Sequence, residues 1–141
     1  MNQTRKFRVA VIGLGWWGKT IVQYLKNARN IDAVLATDLN QDAGRAFAQS
    51  QGVEFAPSFE AAIHDPRIEG VVLCTPHSMH ADQMVAVAAA GKHIFCEKPL
   101  CLNRADVLRA MRARQNQAAS VAKQRSMERK GEVYGLASAS T

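Results

Sequence analysis

The chain has 141 residues, 48% hydrophobic and 21% charged, with 18 Lys plus Arg against 12 Asp plus Glu. A chain of this length forms one globular domain with a core large enough to fold without disulfides or metal, which excludes a second domain of similar size. The net charge of +6 lies at the ends, because residues 1–8 carry +3, residues 111–141 carry +4 and residues 9–110 carry −1. No aromatic residues stand among the basic ones of residues 111–130, so no nucleic-acid partner is expected.

The chain contains three cysteines, Cys74, Cys96 and Cys101. An odd number without a C-x-x-C pair favours a reducing compartment, and it offers no paired ligands to join His77 and His80 in a metal site. The first apolar run ends at Gly13, too early for a signal peptide, and no run approaches the roughly 18 apolar residues of a membrane span. We therefore predict a cytoplasmic protein with no metal and no membrane partner.

Strand-like and helix-like segments alternate along the chain. The predicted strands are 7–12, 31–37, 70–74 and 93–96, with a weaker candidate at 53–56. The predicted helices are 16–28, 41–51, 58–64 and 80–90. Two of the strands contain the runs VAVI and VVLC, which lack polar alternation, as strands of a parallel sheet do when both faces are buried. This order predicts an α/β fold with a doubly wound, mostly parallel sheet of about five strands, a Rossmann fold; a (β/α)8 barrel would need some 250 residues.

A further helix is predicted from Asn103, which would be its N-cap with Asp106 as capping partner. Three apolar residues follow on one face of this helix, Val107, Leu108 and Met111. Residues 118–141 contain only three members of the Val, Ile, Leu, Phe and Trp set, too little apolar surface to offset the entropy of ordering. We expect a cofactor domain over residues 1–117 and a basic tail over residues 118–141, a frayed helix followed by a mobile end.

The segment Gly13-Leu14-Gly15-Trp16-Trp17-Gly18 matches G-x-G-x-x-G directly after the first predicted strand and at the start of a helix. In this arrangement Gly13 permits a tight turn, Gly15 lets the backbone approach a pyrophosphate, and Gly18 lets the helix pack against the strand. The helix N-terminus offers N–H groups and a positive dipole end to the phosphates. The context favours a dinucleotide site over a merely glycine-rich turn.

Asp38 lies twenty residues beyond Gly18, at the end of the second predicted strand. A carboxylate there accepts hydrogen bonds from an adenosine ribose and repels a 2′-phosphate, and no Arg follows within six residues. The prediction is NAD rather than NADP, although Asp38 is also a candidate N-cap for the next helix.

Trp16 and Trp17 are unusual inside such a turn. One interpretation is that a ring packs against the sheet edge or a neighbouring domain, and the other is that a ring lies near the cofactor. Packing is favoured, because large aromatic side chains dominate burial in cores and interfaces; both residues stay candidate cofactor contacts.

Two further motifs follow the fourth and fifth strands, TPHSMH at 75–80 and EKP at 97–99. Open α/β sheets bind ligands at the carboxyl ends of their strands, where both motifs lie. Together with GLGWWG at 13–18, they resemble the Gfo/Idh/MocA family, the glucose-fructose oxidoreductase and inositol dehydrogenase type of NAD(P)-dependent oxidoreductase. The resemblance covers about residues 7–117.

The resemblance implies cofactor contacts for six residues of these motifs, Thr75, Pro76, His80, Glu97, Lys98 and Pro99. It also implies that Lys98 lies near the nicotinamide and the substrate, which makes it the candidate catalytic residue. An ammonium suits this work, since it can hydrogen-bond a substrate hydroxyl, stabilise a developing alkoxide and aid proton transfer.

Members of this family continue into a sixth strand and a second α/β domain that carries much of the substrate site, and neither is evident in this sequence. We therefore expect a member truncated before its substrate domain, with a shifted reading frame near residues 113–120 as one origin and a separately encoded substrate domain as another. The expected function is NAD binding as the N-terminal half of an oxidoreductase acting on a small sugar- or polyol-like hydroxyl compound, with the isolated chain inactive. The alternative is a non-catalytic NAD-binding module. The substrate and the oligomeric state are not readable.

Overall fold

The structure is a computed structural model that describes residues 4–138 and, beyond residue 127, the backbone alone. Its strands are Phe7–Ile12 (β1), Ile31–Thr37 (β2), Glu54–Phe55 (β3), Gly70–Leu73 (β4) and His93–Cys96 (β5). Its α-helices are Trp16–Leu25 (α1), Gln41–Gln51 (α2), Phe59–His64 (α3), His80–Ala89 (α4) and Arg104–Ser138 (α5), and a single 3-10 turn, His77–Met79, precedes α4.

The five strands form one parallel sheet in the order β3-β2-β1-β4-β5. Strand order reverses between β1 and β4, which places the switch point of the sheet beside β1. Ile12 on β1 is aligned with Thr37 on β2 and with Leu73 on β4, so the carboxyl ends of these three strands are level. The glycine turn, Asp38 and Thr75 therefore emerge at the same edge.

Both faces of the sheet are covered by helices around β1. Ala10 and Ile12 join a core cluster with side chains of α3 and α4, whereas Val9 and Val11 join a second cluster with α1 and α2. Burial on both faces explains why this strand has no polar alternation. The prediction of a doubly wound parallel sheet is confirmed.

The strand β5 lies at the edge of the sheet, and helices cover it less than they cover β1, β2 and β4. It pairs with β4 on one side only, and its side chains alternate between exposed and half-buried. Phe95 is 62% exposed. An apolar groove of about 330 Å³ runs along this part of the sheet beside α1, with Leu25, Val72 and Phe95 among its lining residues.

The helix α5 begins where the sequence places it. The side-chain oxygen of Asn103 accepts a hydrogen bond from the N–H of Asp106, and its amide nitrogen donates to the Asp106 carboxylate, both at 2.9 Å. The helix does not end near residue 117, since it continues to Ser138. Beyond residue 117, where a frayed helix is expected, the helix is continuous because the segment is rich in Ala, Gln, Lys and Arg, which favour helix even without burial. Residues 139–141 of the predicted tail lie outside the described residues, and the mobility of the tail stays a prediction.

The apolar face predicted for α5 is not the face that packs. Val107, Leu108 and Met111 are 41%, 42% and 54% exposed. The half-buried positions at the start of the helix are instead 106, 110, 113 and 117, which recur at helical spacing. Arg109 supports this orientation, because its guanidinium donates to Asp82 on α4 at 2.8 Å.

Candidate cofactor-binding site

The turn between β1 and α1 has two positions that accept only glycine. Gly13 has a φ of 91°, and a Cβ atom there would lie 2.7 Å from the carbonyl oxygen of Cys74. A Cβ atom on Gly18 would overlap the carbonyl oxygen of Gly13. Gly15 differs from both, because nothing lies within 4 Å of the position that its Cβ would take. The turn is therefore tightly packed underneath and open at Gly15, which leaves room for a phosphate to approach the backbone.

Asp38 follows β2, and its carboxylate reaches back to the glycine turn. Oδ2 accepts a hydrogen bond from the N–H of Leu14 at 2.6 Å, and Oδ1 accepts one from the N–H of Asn40 at 2.8 Å. The N-cap of α2 is Asn40, whose side chain accepts from the N–H of Ala43, so the interpretation of Asp38 as that cap is wrong. An ionised carboxylate has about four acceptor positions, so two remain for the hydroxyls of a ribose.

A cleft of about 570 Å³ opens at the carboxyl ends of β1, β2 and β4, beside the switch point. Five residues that the sequence assigns to the cofactor line it, Gly13, Gly15, Asp38, Thr75 and Pro76. Its charged lining residues are Asp38 and Glu60, and within the part of the chain that the structure describes no Lys or Arg lines it. The cleft is thus anionic at one end and otherwise largely apolar.

Several other residues line the cleft without belonging to the assigned set, among them Leu39, Pro57, Phe59, Met79 and Gln83. Leu39 and Pro57 follow β2 and β3, so the rule that ligands bind at the carboxyl ends of strands was a signal for both. Gln83 lies on α4, three residues after His80, and no motif marks it. Its helical spacing from His80 was the only available signal.

His80 lies behind the wall of the cleft rather than in it. Its side chain is fully buried, with Nδ1 2.9 Å from the carbonyl oxygen of Pro99 and Nε2 2.9 Å from that of Thr75. A neutral imidazole donates to one of these carbonyls, and a protonated ring donates to both. The ring therefore bridges the loop after β4 and the loop after β5.

The loop after β5 contains Glu97, Lys98 and Pro99, none of which lines the 570 Å³ cleft. The N–H of Glu97 donates to the carbonyl oxygen of Leu73 at 3.1 Å, which keeps this loop beside the end of β4. The Lys98–Pro99 peptide bond is cis. Lys98 is exposed, and its ammonium has no ion-pair partner among the described residues. It is free to contact a ligand at this edge of the sheet.

Trp16 and Trp17 lie at the start of α1 and do not line the cleft. Their ring centroids are 5.6 Å apart, and the side chains are 80% and 38% exposed, respectively. Trp16 is thus largely uncovered within this domain, and packing of one ring against the sheet edge or a neighbouring domain, like a ring near the cofactor, stays a prediction.

The three cysteines are free and partly buried. Burial raises the pKa of the Cys74 and Cys96 thiols to about 11, and it also raises the pKa of Cys101. Such thiols stay protonated at neutral pH, so they are poor nucleophiles and poor metal ligands. Among the residues that the structure describes, no group of three or more His, Cys, Asp or Glu side chains is arranged to hold a metal ion.

A doubly wound sheet with a glycine turn, an acidic residue after β2 and a cleft at the switch point defines a dinucleotide-binding domain of the Rossmann class. The family model described as "Oxidoreductase family, NAD-binding Rossmann fold" matches residues 7–124, and the chain belongs to this Gfo/Idh/MocA family. The chain is therefore an NAD-binding domain of oxidoreductase type, as its motifs predict.

Individual relatives agree with this assignment. A myo-inositol 2-dehydrogenase of Thermotoga maritima is 38% identical over 101 residues, which cover 71% of this chain and 30% of that protein. The solved structure of apo scyllo-inositol dehydrogenase from Lactobacillus casei is 25% identical with a TM-score of 0.76, over 84% of this chain and 35% of that one. Biliverdin reductase from Synechocystis sp. PCC 6803, in complex with biliverdin and NADP+, is 28% identical with a TM-score of 0.74, over 79% and 35%.

The chain spans about a third of the length of these relatives. The matched third is the cofactor domain, so the relatives support its fold and its NAD-binding class. None of the helices in the described part of the chain is both long and apolar enough to cross a membrane.

Proposed function

We propose that the cleft prefers NAD to NADP, with the adenosine ribose at Asp38. The observation that carries this preference is the anionic lining of the cleft. A 2′-phosphate there would meet the carboxylates of Asp38 and Glu60 without a neutralising cation among the residues that line the cleft, which costs free energy. The uncharged ribose of NAD instead offers hydroxyl groups to the remaining acceptor positions of Asp38.

The pyrophosphate of the cofactor would lie over the glycine turn. The first N–H groups of α1, which include those of Trp16 and Trp17, lack partners within the helix and carry the positive end of its dipole. The space above Gly15 admits the phosphates to these groups. In this proposal the two tryptophans contribute their backbone rather than their rings, and Gly18 acts by holding α1 against the turn.

For the whole protein, we propose hydride transfer between the nicotinamide and the hydroxyl group of a small sugar- or polyol-like compound. The cofactor supplies the hydride chemistry, and the chain supplies binding and orientation. Thr75 and Pro76 form the wall that leads toward the nicotinamide, and His80 ties that wall to the loop of Glu97, Lys98 and Pro99.

Lys98 would act on the substrate in this proposal. Its exposed ammonium can donate a hydrogen bond to the reacting hydroxyl oxygen, stabilise negative charge that develops there and pass on a proton. Similarity to the myo-inositol 2-dehydrogenase of Thermotoga maritima supports a polyol-like substrate.

Calorimetric titration with NAD and NADP tests the cofactor preference. We expect NAD to bind at least about tenfold more tightly, a difference of about 1.4 kcal/mol. Asp38→Asn removes the charge but keeps an oxygen that can accept the Leu14 N–H, and it should narrow the difference. Asp42→Asn, on the exposed start of α2, is the matched control and should leave the ratio unchanged. Tighter binding of NADP than of NAD to the unaltered chain would refute the preference.

A second candidate function is a non-catalytic NAD-binding module. The observation in its favour is that Lys98, the proposed catalytic residue, does not line the 570 Å³ cleft and is not gathered with the residues around the glycine turn. Turnover of a panel of hydroxyl compounds with NAD by this chain would support the oxidoreductase. NAD binding without turnover, even at high protein concentration, would support the module.

We also propose that the cofactor domain ends near residue 117 and that the protein is cytoplasmic. The side chain of Gln117 donates to the carbonyl oxygen of Lys92 at 3.0 Å, and residues 118–127 are all exposed. Brief treatment with trypsin should cleave first at Lys123 and Arg125 and leave the domain intact. Three free cysteines fit a reducing compartment.

A further inference from the structure

Gln83 is a polar residue of the cleft wall that none of the motifs explains. It lies in the first turn of α4, is only 6% exposed, and lines the 570 Å³ cleft. Buried glutamine side chains normally have their hydrogen bonds satisfied. Its partners therefore show what this position does.

One end of the Gln83 carboxamide is held by the protein. The hydroxyl of Thr75 donates a hydrogen bond to Oε1 of Gln83. Because the two ends of a carboxamide point in different directions, this bond turns Nε2 away from Thr75. Nε2 of Gln83 makes no hydrogen bond within the described residues. It is not fully buried either, because in that part of the chain the one fully buried side-chain nitrogen or oxygen without a hydrogen bond is Nε of Arg8. Nε2 of Gln83 is therefore open to the cleft.

Other side-chain donors of the cleft lining are already engaged, although the Ser58 hydroxyl is known only to accept from the N–H of Ala61. Thr37 donates its hydroxyl to the carbonyl oxygen of Ala56 at 2.8 Å, and Gln41 donates its amide to the carbonyl oxygen of Asp38 at 3.0 Å. The hydroxyl of Thr75 is engaged by Gln83 itself. A nearly buried N–H group that lacks an acceptor is unfavourable, and a ligand oxygen placed beside it removes that cost.

We propose that Gln83 is a cofactor-binding residue whose Nε2 donates a hydrogen bond to an oxygen of the sugar–phosphate backbone of the bound dinucleotide, with Thr75 as the positioning residue that fixes the amide. This inference rests on the NAD site proposed above. The cleft extends from Asp38 past the glycine turn to Thr75 and Gln83, so the parts of the cofactor that cross it are the pyrophosphate and the riboses. Both are rich in acceptor oxygens.

Calorimetric titration of the full chain with NAD and with ADP-ribose tests the proposal, because ADP-ribose retains the backbone and lacks the nicotinamide. In Gln83→Leu, we expect both ligands to bind about tenfold more weakly, the loss of one hydrogen bond to a charged or polar acceptor. Gln83→Glu keeps the shape and can still accept from Thr75, but it has no N–H and carries a negative charge, so its loss should be larger. Gln23→Leu, exposed on α1, is the matched control and should bind both ligands as the unaltered chain does.

The positioning role of Thr75 has its own arm. Thr75→Val removes the hydroxyl that orients the amide and should weaken binding, and Thr75→Ser should restore it. Thermal unfolding without ligand identifies any variant that has lost its fold, and Gln83→Glu then provides the second measurement if Gln83→Leu unfolds.

Three results would overturn the inference. They are unchanged binding of both ligands to a folded Gln83→Leu or Gln83→Glu, weakened binding of NAD with unchanged binding of ADP-ribose, and unchanged binding to Thr75→Val. If the unaltered chain bound neither ligand, the NAD site itself would be wrong, which is a distinguishable outcome.

Discussion

The two halves of the sheet edge differ in how completely the chain builds them. On the side of β1, β2 and β4, helices cover both faces, and the turn, Asp38 and Thr75 are held by hydrogen bonds within the domain. On the side of β5 and α5, Phe95, Leu102 and Met111 are more than half exposed, and Lys98 is unpaired among the described residues. The comparison teaches that the half of the edge around the glycine turn is held in place by the domain itself, whereas the half around β5 leaves apolar side chains and Lys98 uncovered.

The largest expected effect comes from the glycine turn, which tests the assembled half. Gly13→Val should lower the free energy of unfolding by about 3 kcal/mol or more, because its backbone and the nearby carbonyl oxygen exclude a side chain. Gly15→Val should fold normally, since Gly15 has extended backbone angles and open surroundings. It should nevertheless weaken NAD binding by more than about 100-fold, because the side chain fills the phosphate space.

Chemical denaturation and calorimetry together measure these two effects. Lys98→Ala, on the open half, serves as the control and should bind NAD within about twofold of the unaltered chain. Equal NAD binding by Gly15→Val and the unaltered chain would contradict the proposal that the glycine turn binds the pyrophosphate.

Thiol labelling compares the two halves in solution. With a pKa of about 11 for Cys74 and Cys96, the thiolate at neutral pH is about a hundredfold scarcer than for a thiol of ordinary pKa. Labelling followed by mass spectrometry should therefore show slow reaction at both residues that accelerates as the pH rises toward 11. The folded state keeps the thiol protons of Cys74 and Cys96 to higher pH than the unfolded state does. The free energy of unfolding should therefore fall as the pH rises from the ordinary thiol pKa toward 11. Rapid reaction of Cys96 at neutral pH would show that its thiol is more exposed to solvent than its partial burial implies.

His80 joins the two halves, and its removal should have an intermediate effect. His80→Ala deletes a fully buried ring and leaves two carbonyl oxygens without their partner, so we expect a loss of about 2 kcal/mol in the free energy of unfolding. His77→Ala, in the exposed turn before it, should change this quantity by less than about 0.5 kcal/mol. A His80→Ala variant as stable as His77→Ala would mean that the bridge between the loops is absent in solution.

The smallest expected effect is at the exposed edge. Phe95→Gln should change the free energy of unfolding by no more than about 0.5 kcal/mol, because the ring is 62% exposed. Val71→Ala, on the neighbouring strand and 1% exposed, should cost about 1 to 2 kcal/mol. If denaturation showed the two costs to be similar, Phe95 would be covered in solution and the contrast between the halves would disappear.

The sequence was sufficient for the sheet because strands buried on both faces have a distinctive composition. The predicted limits of β1, β2 and β5 coincide with the observed ones, and Ser58, the first residue of the predicted helix 58–64, is the N-cap of α3. The same reasoning placed Val107, Leu108 and Met111 on one face of α5 but did not indicate that this face is exposed. Which face of a helix packs depends on its neighbours, and here the Arg109–Asp82 pair lies beside the packed face.

The candidate site shows a similar division. Backbone requirements such as that of Gly13 are visible in a motif, because one residue type alone satisfies them. Side-chain directions are not, since they depend on contacts between segments far apart in the chain. The sequence therefore placed His80 in the cleft wall without showing that it lies behind it, and it did not indicate Gln83 at all.

The hydrogen bond from the Leu14 N–H to Asp38 links the choice between NAD and NADP to the stability of the glycine turn. A substitution that relaxes cofactor choice by removing the carboxylate also removes an anchor of the phosphate turn. Evolution or engineering toward a phosphorylated ribose would then have to keep an acceptor at residue 38, as Asn or Ser would, and add its cation elsewhere. A change of preference from NAD to NADP is therefore restricted by the Leu14–Asp38 hydrogen bond, which contacts neither cofactor.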